Sequence, residues 1–342
     1  MLESIPSDSE IPFFPRNTPQ CYSSWRMKTL NEVFTSRSMR RRYEVWFLRM
    51  GLADGSGAWW FRYLLMNPGR GGCDGDAQGQ PVQVWATWFP QEGKAETWIQ
   101  GFGGESLRFS LSERGAGPFS LEIGENAIGE DECRGRMEAG GQKISWNLRY
   151  RSSFRAEMSS KGWIGFSRTP HSDAVFSGEI RLNGQKFCGE PLGCGMQGHN
   201  CGYRHRHFWT WTHIHFPSSR GQSSTLEALA YELPLGMRFR TAVLWHDGEK
   251  YTFGEIRESV RDSRKLCWKL ECTDGRGIRA EVSVSGRERF VHRLEYVKTD
   301  CSGRFEVAND SLACARMILH RPGKVAEELT TDVGAVLEMV GS

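Results

Sequence analysis

The segment from Gly195 to Phe216 holds the densest group of chemically active side chains in the sequence. It reads GMQGHNCGYRHRHFWTWTHIHF and contains five of the nine histidines, together with Trp209 and Trp211. Imidazoles exchange protons near neutral pH, and indole faces attract positive charge. The segment can therefore give a pocket both a proton source and an apolar wall that tolerates a cation.

Residue spacing indicates which of these side chains act together. Side chains two residues apart share one face of a β-strand. One face of this segment would carry His207, Trp209, Trp211, His213 and His215. Each indole can bury roughly 150–250 Å², which would be wasted in solvent. We therefore predict that this face lines a cavity.

Protonation of a carbon–carbon double bond needs an acid in a water-poor pocket and aromatic faces that stabilise the cation. We predict that His207 or His213 is the acid, with a carboxylate partner; His199 is a further candidate. Glu44 and Glu227 are candidate acids too, because burial in apolar surroundings would raise their pKa. The alternative for each histidine is a structural role, capping a loop or satisfying backbone groups.

The predicted substrate-binding wall is aromatic. Its main members are Trp209 and Trp211, and four tryptophans on other strands complete it: Trp46, Trp60, Trp85 and Trp88. His199 and Asn200, in the glycine-rich GMQGHNCG stretch, either contact the ligand or tie this loop to a neighbouring unit by hydrogen bonds.

Histidine pairs at i and i+2 also raise the alternative of a metal site. His205 with His207, or His213 with His215, could share an ion if Glu227 converged as a third ligand. The sequence carries no local motif for a particular metal. We therefore predict neither a metal nor an organic cofactor.

Composition limits the function classes. The chain has 342 residues, is 39% apolar, and carries 44 basic and 41 acidic residues, a net charge of +3. This balance lacks the basic excess of a nucleic-acid-binding protein. The sequence contains no uninterrupted apolar run of ~18 residues, so no transmembrane helix is predicted. The N-terminus does not resemble an export signal.

The ten cysteines form no zinc-type CxxC pair. Reduced thiols in a cytoplasmic protein are therefore expected. The oligomeric state stays open.

Alternating apolar segments and glycine-containing turns predict an all-β protein. Hairpin signals include Asn183-Gly184, Asp247-Gly248 and Asp274-Gly275. The strand from Arg42 to Met50 is apolar on both faces, which is typical of a wall that also frames a cavity. Fifteen or so strands exceed one small barrel. We predict an arm over 1–39 and two packed antiparallel β-barrel or sandwich units over 40–173, ending in a crossover, and 174–342.

Four stretches resemble the carotenoid hydratase (hydroxyneurosporene synthase) and tocopherol cyclase-like superfamily. They are RYEVWFLRMGLADGSGAWWFRYLLMNPG from Arg42, PVQVWATWF from Pro81, TPHSDAVFSG from Thr169, and GMQGHNCGYRHRHFWTWTH from Gly195. The resemblance implies two lipocalin-like units with a ligand pocket near their junction. It also implies hydration, cyclisation or isomerisation of a hydrophobic isoprenoid or polyene substrate. A lipocalin-type binding protein without catalysis is the competing hypothesis.

Overall fold

The computed structural model describes residues 30–35, 41–73, 75–110, 119–160, 165–203, 205, 207–217, 223–233 and 236–341. These residues form 22 β-strands and a few single 3-10 turns, and none of them lies in an α-helix. All strand pairs are antiparallel and belong to two sheets. The predicted all-β class with two packed units is confirmed.

The first sheet contains twelve strands. They are β1 Tyr43–Leu52, β2 Gly57–Met66, β3 Val82–Pro90, β4 Glu96–Phe102, β5 Leu107–Ser110, β6 Ser120–Ile123, β7 Asn126–Gly129, β8 Glu132–Ala139, β9 Gln142–Arg151, β10 Ala156–Ser160, β11 Gly165–Leu182 and β12 Gln185–Gly202. Their order is β4-β3-β2-β1-β12-β11-β9-β8-β7-β6-β5, and β10 pairs with β11.

The second sheet contains ten strands. They are β13 Trp209–Phe216, β14 Ser224–Glu232, β15 Arg238–His246, β16 Glu249–Phe253, β17 Glu255–Asp262, β18 Cys267–Thr273, β19 Arg279–Ser285, β20 His292–Val297, β21 Arg304–His320 and β22 Glu327–Val340. Their order is β16-β15-β14-β13-β22-β21-β19-β18-β17, with β20 paired to β21.

Strand alternation produces three apolar layers. One face of β1, with Trp46 and Leu48, packs in the core of the first unit. One face of β13, with Ile214 and Phe216, packs in the core of the second unit. The opposite faces of these strands meet in a third layer between the units, which includes Phe47, Trp60, Trp211, Leu229 and Val336. The prediction that β1 is covered on both faces is confirmed.

The change from one sheet to the other comes after Gly202, whereas the predicted domain boundary follows Asp173. The segment predicted as a crossover, 151–173, contains β10 and the first half of β11. Its period-two pattern is obscured because the β11–β12 register shifts between Arg168 and His171 and again between His171 and Ala174.

The predicted N-terminal arm is described only at 30–35, which lies against the first unit. The backbone N–H groups of Phe34 and Thr35 donate to the carboxylate of Glu44 at 2.9 and 2.6 Å. The Trp46 indole donates to the Asn31 carbonyl at 3.2 Å. Residues 30–34 of this arm form a turn and irregular backbone.

Cys73 and Cys301 form a disulfide that joins the two units. The expectation of ten reduced thiols is therefore wrong for this pair. The sequence could not reveal it, because the two cysteines are separated by 228 residues and carry no motif. Disulfides are rare in reducing compartments, so the cytoplasmic location stays a prediction. No helix among the described residues has the length and apolar character needed to cross a membrane.

Candidate active site between the two sheets

A cavity of about 440 Å³ lies between the two units. This volume falls within the usual range for small-molecule sites. Strands β1, β2, β3, β11 and β12 of the first sheet form one wall, and strands β13, β14, β20 and β22 of the second sheet contribute to the opposite wall. The side chains that line it include Tyr43, Val45, Phe47, Trp60, Arg62, Leu64, Trp85, Asn200, His205, Trp209, Trp211, Tyr296 and Glu338.

Four of the six predicted tryptophans line this cavity: Trp60, Trp85, Trp209 and Trp211. The Trp60 and Trp211 rings come from opposite walls and lie 6.1 Å apart, centroid to centroid. Phe47 meets the Trp211 ring edge-on at 5.8 Å. The cavity therefore offers several indole faces to a ligand, and such faces attract a cation.

Arg62 is a buried cation in the wall of this cavity. Its guanidinium lies 4.1 Å above the Trp60 ring and 5.0 Å above the Tyr296 ring. It donates a hydrogen bond to the Tyr296 hydroxyl oxygen. Its Nη2 lies 3.6 Å from Oε2 of Glu338 on the opposite wall. Burial lowers the pKa of Arg62 to about 10, against the opposing effect of Glu338, so the group stays cationic at neutral pH.

Glu338 receives hydrogen bonds on both carboxylate oxygens. Trp209 Nε1 donates to Oε1 at 3.0 Å, and Asn309 Nδ2 donates to Oε2 at 3.3 Å. Burial raises the pKa of Glu338, and the charge of Arg62 and these two donors oppose that shift. The two N–H donors and the guanidinium are suited to the ionised carboxylate. Arg62 and Glu338 thus form a compensated pair across the cavity.

His205 and Asn200 bring further polar atoms to the cavity lining. The His205 ring stacks on Tyr43 at 4.3 Å. Among the residues that the structure describes, neither Nδ1 of His205 nor Oδ1 of Asn200 has a hydrogen-bond partner. Burial lowers the pKa of His205 to about 3, and the charge of Arg62 lowers it further in the same direction. His205 is therefore neutral at physiological pH and is a weak base inside the cavity.

Glu227 is buried directly behind Trp211 rather than on the cavity surface. The Trp211 indole donates to its Oε1 at 2.9 Å, and the Thr169 hydroxyl donates to its Oε2 at 2.6 Å. Burial raises the pKa of Glu227 to about 7, with both hydrogen bonds opposing the shift. This carboxyl fixes the orientation of the Trp211 ring.

Glu44, His199 and Trp46 lie together inside the first unit and outside the cavity lining. His199 Nε2 contacts Glu44 Oε1 at 2.9 Å, and its Nδ1 contacts the Leu30 carbonyl oxygen at 2.7 Å. The Trp46 ring stacks on His199 at 4.5 Å. This arrangement anchors residues 30–35. Trp88 also lies in the first unit, 4.9 Å from the Trp59 ring.

Neither predicted acid histidine lies in the cavity lining. His207 is exposed, and β13 begins only at Trp209, so His207 does not share the strand face as predicted. His213 is fully buried on the inter-unit face, and its Nε2 bonds to the Ser172 carbonyl oxygen at 2.6 Å. Burial lowers the pKa of His213 to about 3, which leaves the ring neutral and unsuited to proton donation.

The histidine pairs considered as metal ligands do not form a three-ligand group with Glu227. In the part of the chain that the structure describes, three His, Cys, Asp or Glu ligand atoms converge only at His246, Asp247 and Glu327. There the Arg321 guanidinium already bonds both carboxylates, at 3.1 and 2.8 Å.

Sequence reasoning missed Arg62, Glu338 and Tyr296, although the first two carry a recognisable signal. Arg62 is the single charged residue in β2, GAWWFRYLLM, and Glu338 interrupts the apolar run GAVLEMV in β22. A lone charge in a buried strand needs a partner, because an unpaired buried charge is costly. Tyr296 lies in an ordinary polar strand, HRLEYV, and has no such signal.

No protein-family model matches the chain, and no curated protein matches it. Solved structures do match. The crystal structure of CghA with Sch210972 aligns with a TM-score of 0.60 at 9% identity, covering 93% of this chain and 95% of that one. Kievitone hydratase from Nectria haematococca aligns with a TM-score of 0.51 at 11% identity, covering 90% of each chain. These likenesses confirm the two-unit lipocalin-like fold that the sequence resemblance implied.

Proposed function

We propose that this protein is an enzyme that hydrates, cyclises or isomerises a hydrophobic isoprenoid or polyene small molecule by acid–base catalysis in the inter-unit cavity, without an organic cofactor. The observation that carries the proposal is the cavity itself. It is lined by four tryptophan rings, the Arg62–Glu338 ion pair, the Tyr296 hydroxyl and the neutral His205 ring. The similarity of the protein's fold to that of a kievitone hydratase is consistent with this class of reaction.

Tyr296 takes the role of the acid in this proposal. Its hydroxyl oxygen accepts a hydrogen bond from Arg62, so the phenolic proton is left for another acceptor. The guanidinium then stabilises the phenolate that proton transfer leaves behind. This assignment moves the acid away from His207 and His213, because neither side chain reaches the cavity.

The remaining cavity groups have complementary roles. The ionised Glu338 and the indole faces of Trp60 and Trp211 stabilise positive charge that develops on the substrate. The neutral His205 ring accepts a hydrogen bond from an attacking water, and the proton that this water or the carbon releases returns to the Tyr296 phenolate. Glu227 acts as a positioning residue through Trp211.

The test is turnover by the purified protein and two tyrosine variants on a panel of polyenes, with products followed by mass and retention time. Tyr296→Phe removes one hydroxyl from the cavity and is expected to lower kcat by roughly 10²–10⁴-fold. Tyr251→Phe makes the same chemical change in the core of the second unit, where the hydroxyl bonds to Glu249, and should retain activity.

Two results would overturn parts of the proposal. Full activity of Tyr296→Phe would refute the acid assignment. Tight binding of polyenes with no product from any of them would refute catalysis and favour the hypothesis of a lipocalin-type carrier.

A further inference from the structure

The ion pair across the cavity is open to a third group. The Nη2 to Oε2 distance between Arg62 and Glu338 is 3.6 Å, which is longer than a hydrogen bond. The guanidinium face is covered by aromatic rings, including Trp60 at 4.1 Å. The ordinary way to stabilise a buried guanidinium is to supply oxygen acceptors in its plane. A ligand oxygen at this position would supply one.

The charge at this position selects the kind of oxygen. Arg62 and Glu338 carry opposite charges, so the pair is neutral as a whole. An anionic head group would gain from Arg62 and lose to Glu338, whereas a neutral carbonyl oxygen gains the hydrogen bond without that repulsion. The Tyr296 hydroxyl adds a second donor beside Arg62.

The part of the cavity wall next to Arg62, on β1 and β2, suits an apolar chain. Leu64 follows Arg62 on the same face of β2, and its cross-strand partner on β1 is Val45. Both side chains line the cavity, as does Phe47. A substrate whose oxygen binds at Arg62 would thus pack its hydrocarbon chain against this part of the wall.

We propose that the substrate is a polyene whose double bonds are conjugated to a neutral carbonyl group, and that this carbonyl oxygen binds between Arg62 and Tyr296. The inference rests on the proposed function, since it takes the cavity as the substrate site. Hydrogen bonding at the oxygen draws electrons from the conjugated double bond and so prepares it for addition or ring closure.

Binding of three probes with one isoprenoid chain tests the inference. They are farnesene, a hydrocarbon; methyl farnesoate, a neutral conjugated ester; and farnesoic acid, an anion near neutral pH. Dissociation constants come from quenching of tryptophan fluorescence. We expect the ester to bind about tenfold more tightly than the hydrocarbon, equivalent to one good hydrogen bond, and more tightly than the acid.

Variants of the pair sharpen the test. Glu338→Gln leaves the Arg62 charge uncompensated, so the acid should become the tightest of the three probes. Arg62→Met should bring the ester down to the affinity of the hydrocarbon. Leu64→Met is the matched control on the same strand face; it should change all three affinities by a similar factor.

The inference is overturned if farnesene binds as tightly as methyl farnesoate, or if Glu338→Gln leaves the ratio of ester to acid affinity unchanged. Its failure is distinguishable from failure of the proposed function. If the protein binds the ester more tightly than the other probes but forms no product from any polyene, catalysis is refuted and the carbonyl-binding position at Arg62 is retained. Equal turnover of hydrocarbon and carbonyl polyenes would refute the head-group assignment and keep catalysis.

Discussion

Glu227 shows how one side chain can link the two units and also sense pH. Its oxygens accept hydrogen bonds from Trp211 of its own sheet and from Thr169 of the other sheet. Because burial raises its pKa from 4.5 to about 7, the folded protein binds the Glu227 proton more tightly than the unfolded chain does. This group therefore stabilises the fold fully below pH 4.5 and loses that contribution as the pH rises through 7.

The Glu227→Gln variant should remove this pH dependence. Between pH 4.5 and 7, the free energy of unfolding of the natural protein should fall by about 3 kcal/mol relative to that of the variant. Urea unfolding at a series of pH values measures the difference. Parallel curves for the two proteins would contradict the assigned titration.

At the residue scale, the sequence located the apolar part of the site better than the polar part. Trp209 and Trp211 were predicted correctly to line the cavity, because strand alternation is a local property. Glu44 and His199 instead bind the segment at 30–35. Which face of a strand meets a cavity depends on the partner sheet, and the sequence does not contain that information in any local pattern.

At the scale of the element, β1 has two functions on its two faces. Trp46 and Leu48 fill the first core, while Phe47 and Arg49 face the second unit. Arg49 is 1% exposed and donates to the carbonyl oxygens of the second unit at Gly334 and Ala335, at 3.5 and 3.2 Å, and at Ser311 and Val333. It therefore holds β1 against strands β21 and β22.

Replacing this guanidinium should destabilise the junction. Arg49→Met removes a donor from four carbonyl oxygens of the second unit, and each buried acceptor that is left unsatisfied costs about 1–3 kcal/mol. We expect a loss of about 3 kcal/mol or more in the free energy of unfolding. Arg257→Met, on an exposed position of β17, is the control and should change stability by less than about 0.5 kcal/mol. Equal stability of both variants would show that Arg49 does not hold the units together.

The alternation of apolar residues shows where strands lie, but it does not show that a strand continues through a bulge. The predicted strand from Arg42 to Met50 agrees with β1 within two residues at each end. The predicted boundary after Asp173 falls inside the long β11, because its bulges break the period of two on which the prediction depends. The change from the first sheet to the second comes after Gly202.

At the scale of the whole molecule, the disulfide between Cys73 and Cys301 joins the loop after β2 to the loop after β20. Both loops adjoin residues of the cavity lining, since Met66 precedes one and Val297 the other. Asn67 also bonds to the Thr299 carbonyl oxygen at 2.5 Å in the same region. The rim of the cavity is thus held by a covalent link as well as by hydrogen bonds.

Reduction of this disulfide should lower stability. A cross-link over 228 residues restricts the unfolded chain strongly, and its removal typically costs about 2–5 kcal/mol. Urea unfolding of the natural protein with and without reductant, compared with the double variant Cys73→Ser and Cys301→Ser, measures the loss. Cys188→Ser, at an exposed free thiol, should behave like the natural protein. A natural protein insensitive to reductant would contradict the pairing.

Each unit contributes one wall of the cavity, and each unit also has its own packed core. Exchange of a wall residue such as Leu64 or Leu229 therefore alters the shape offered to a ligand without opening a void in either core. Substitutions in the cavity wall can therefore change which ligand fits, while the core of each unit stays packed.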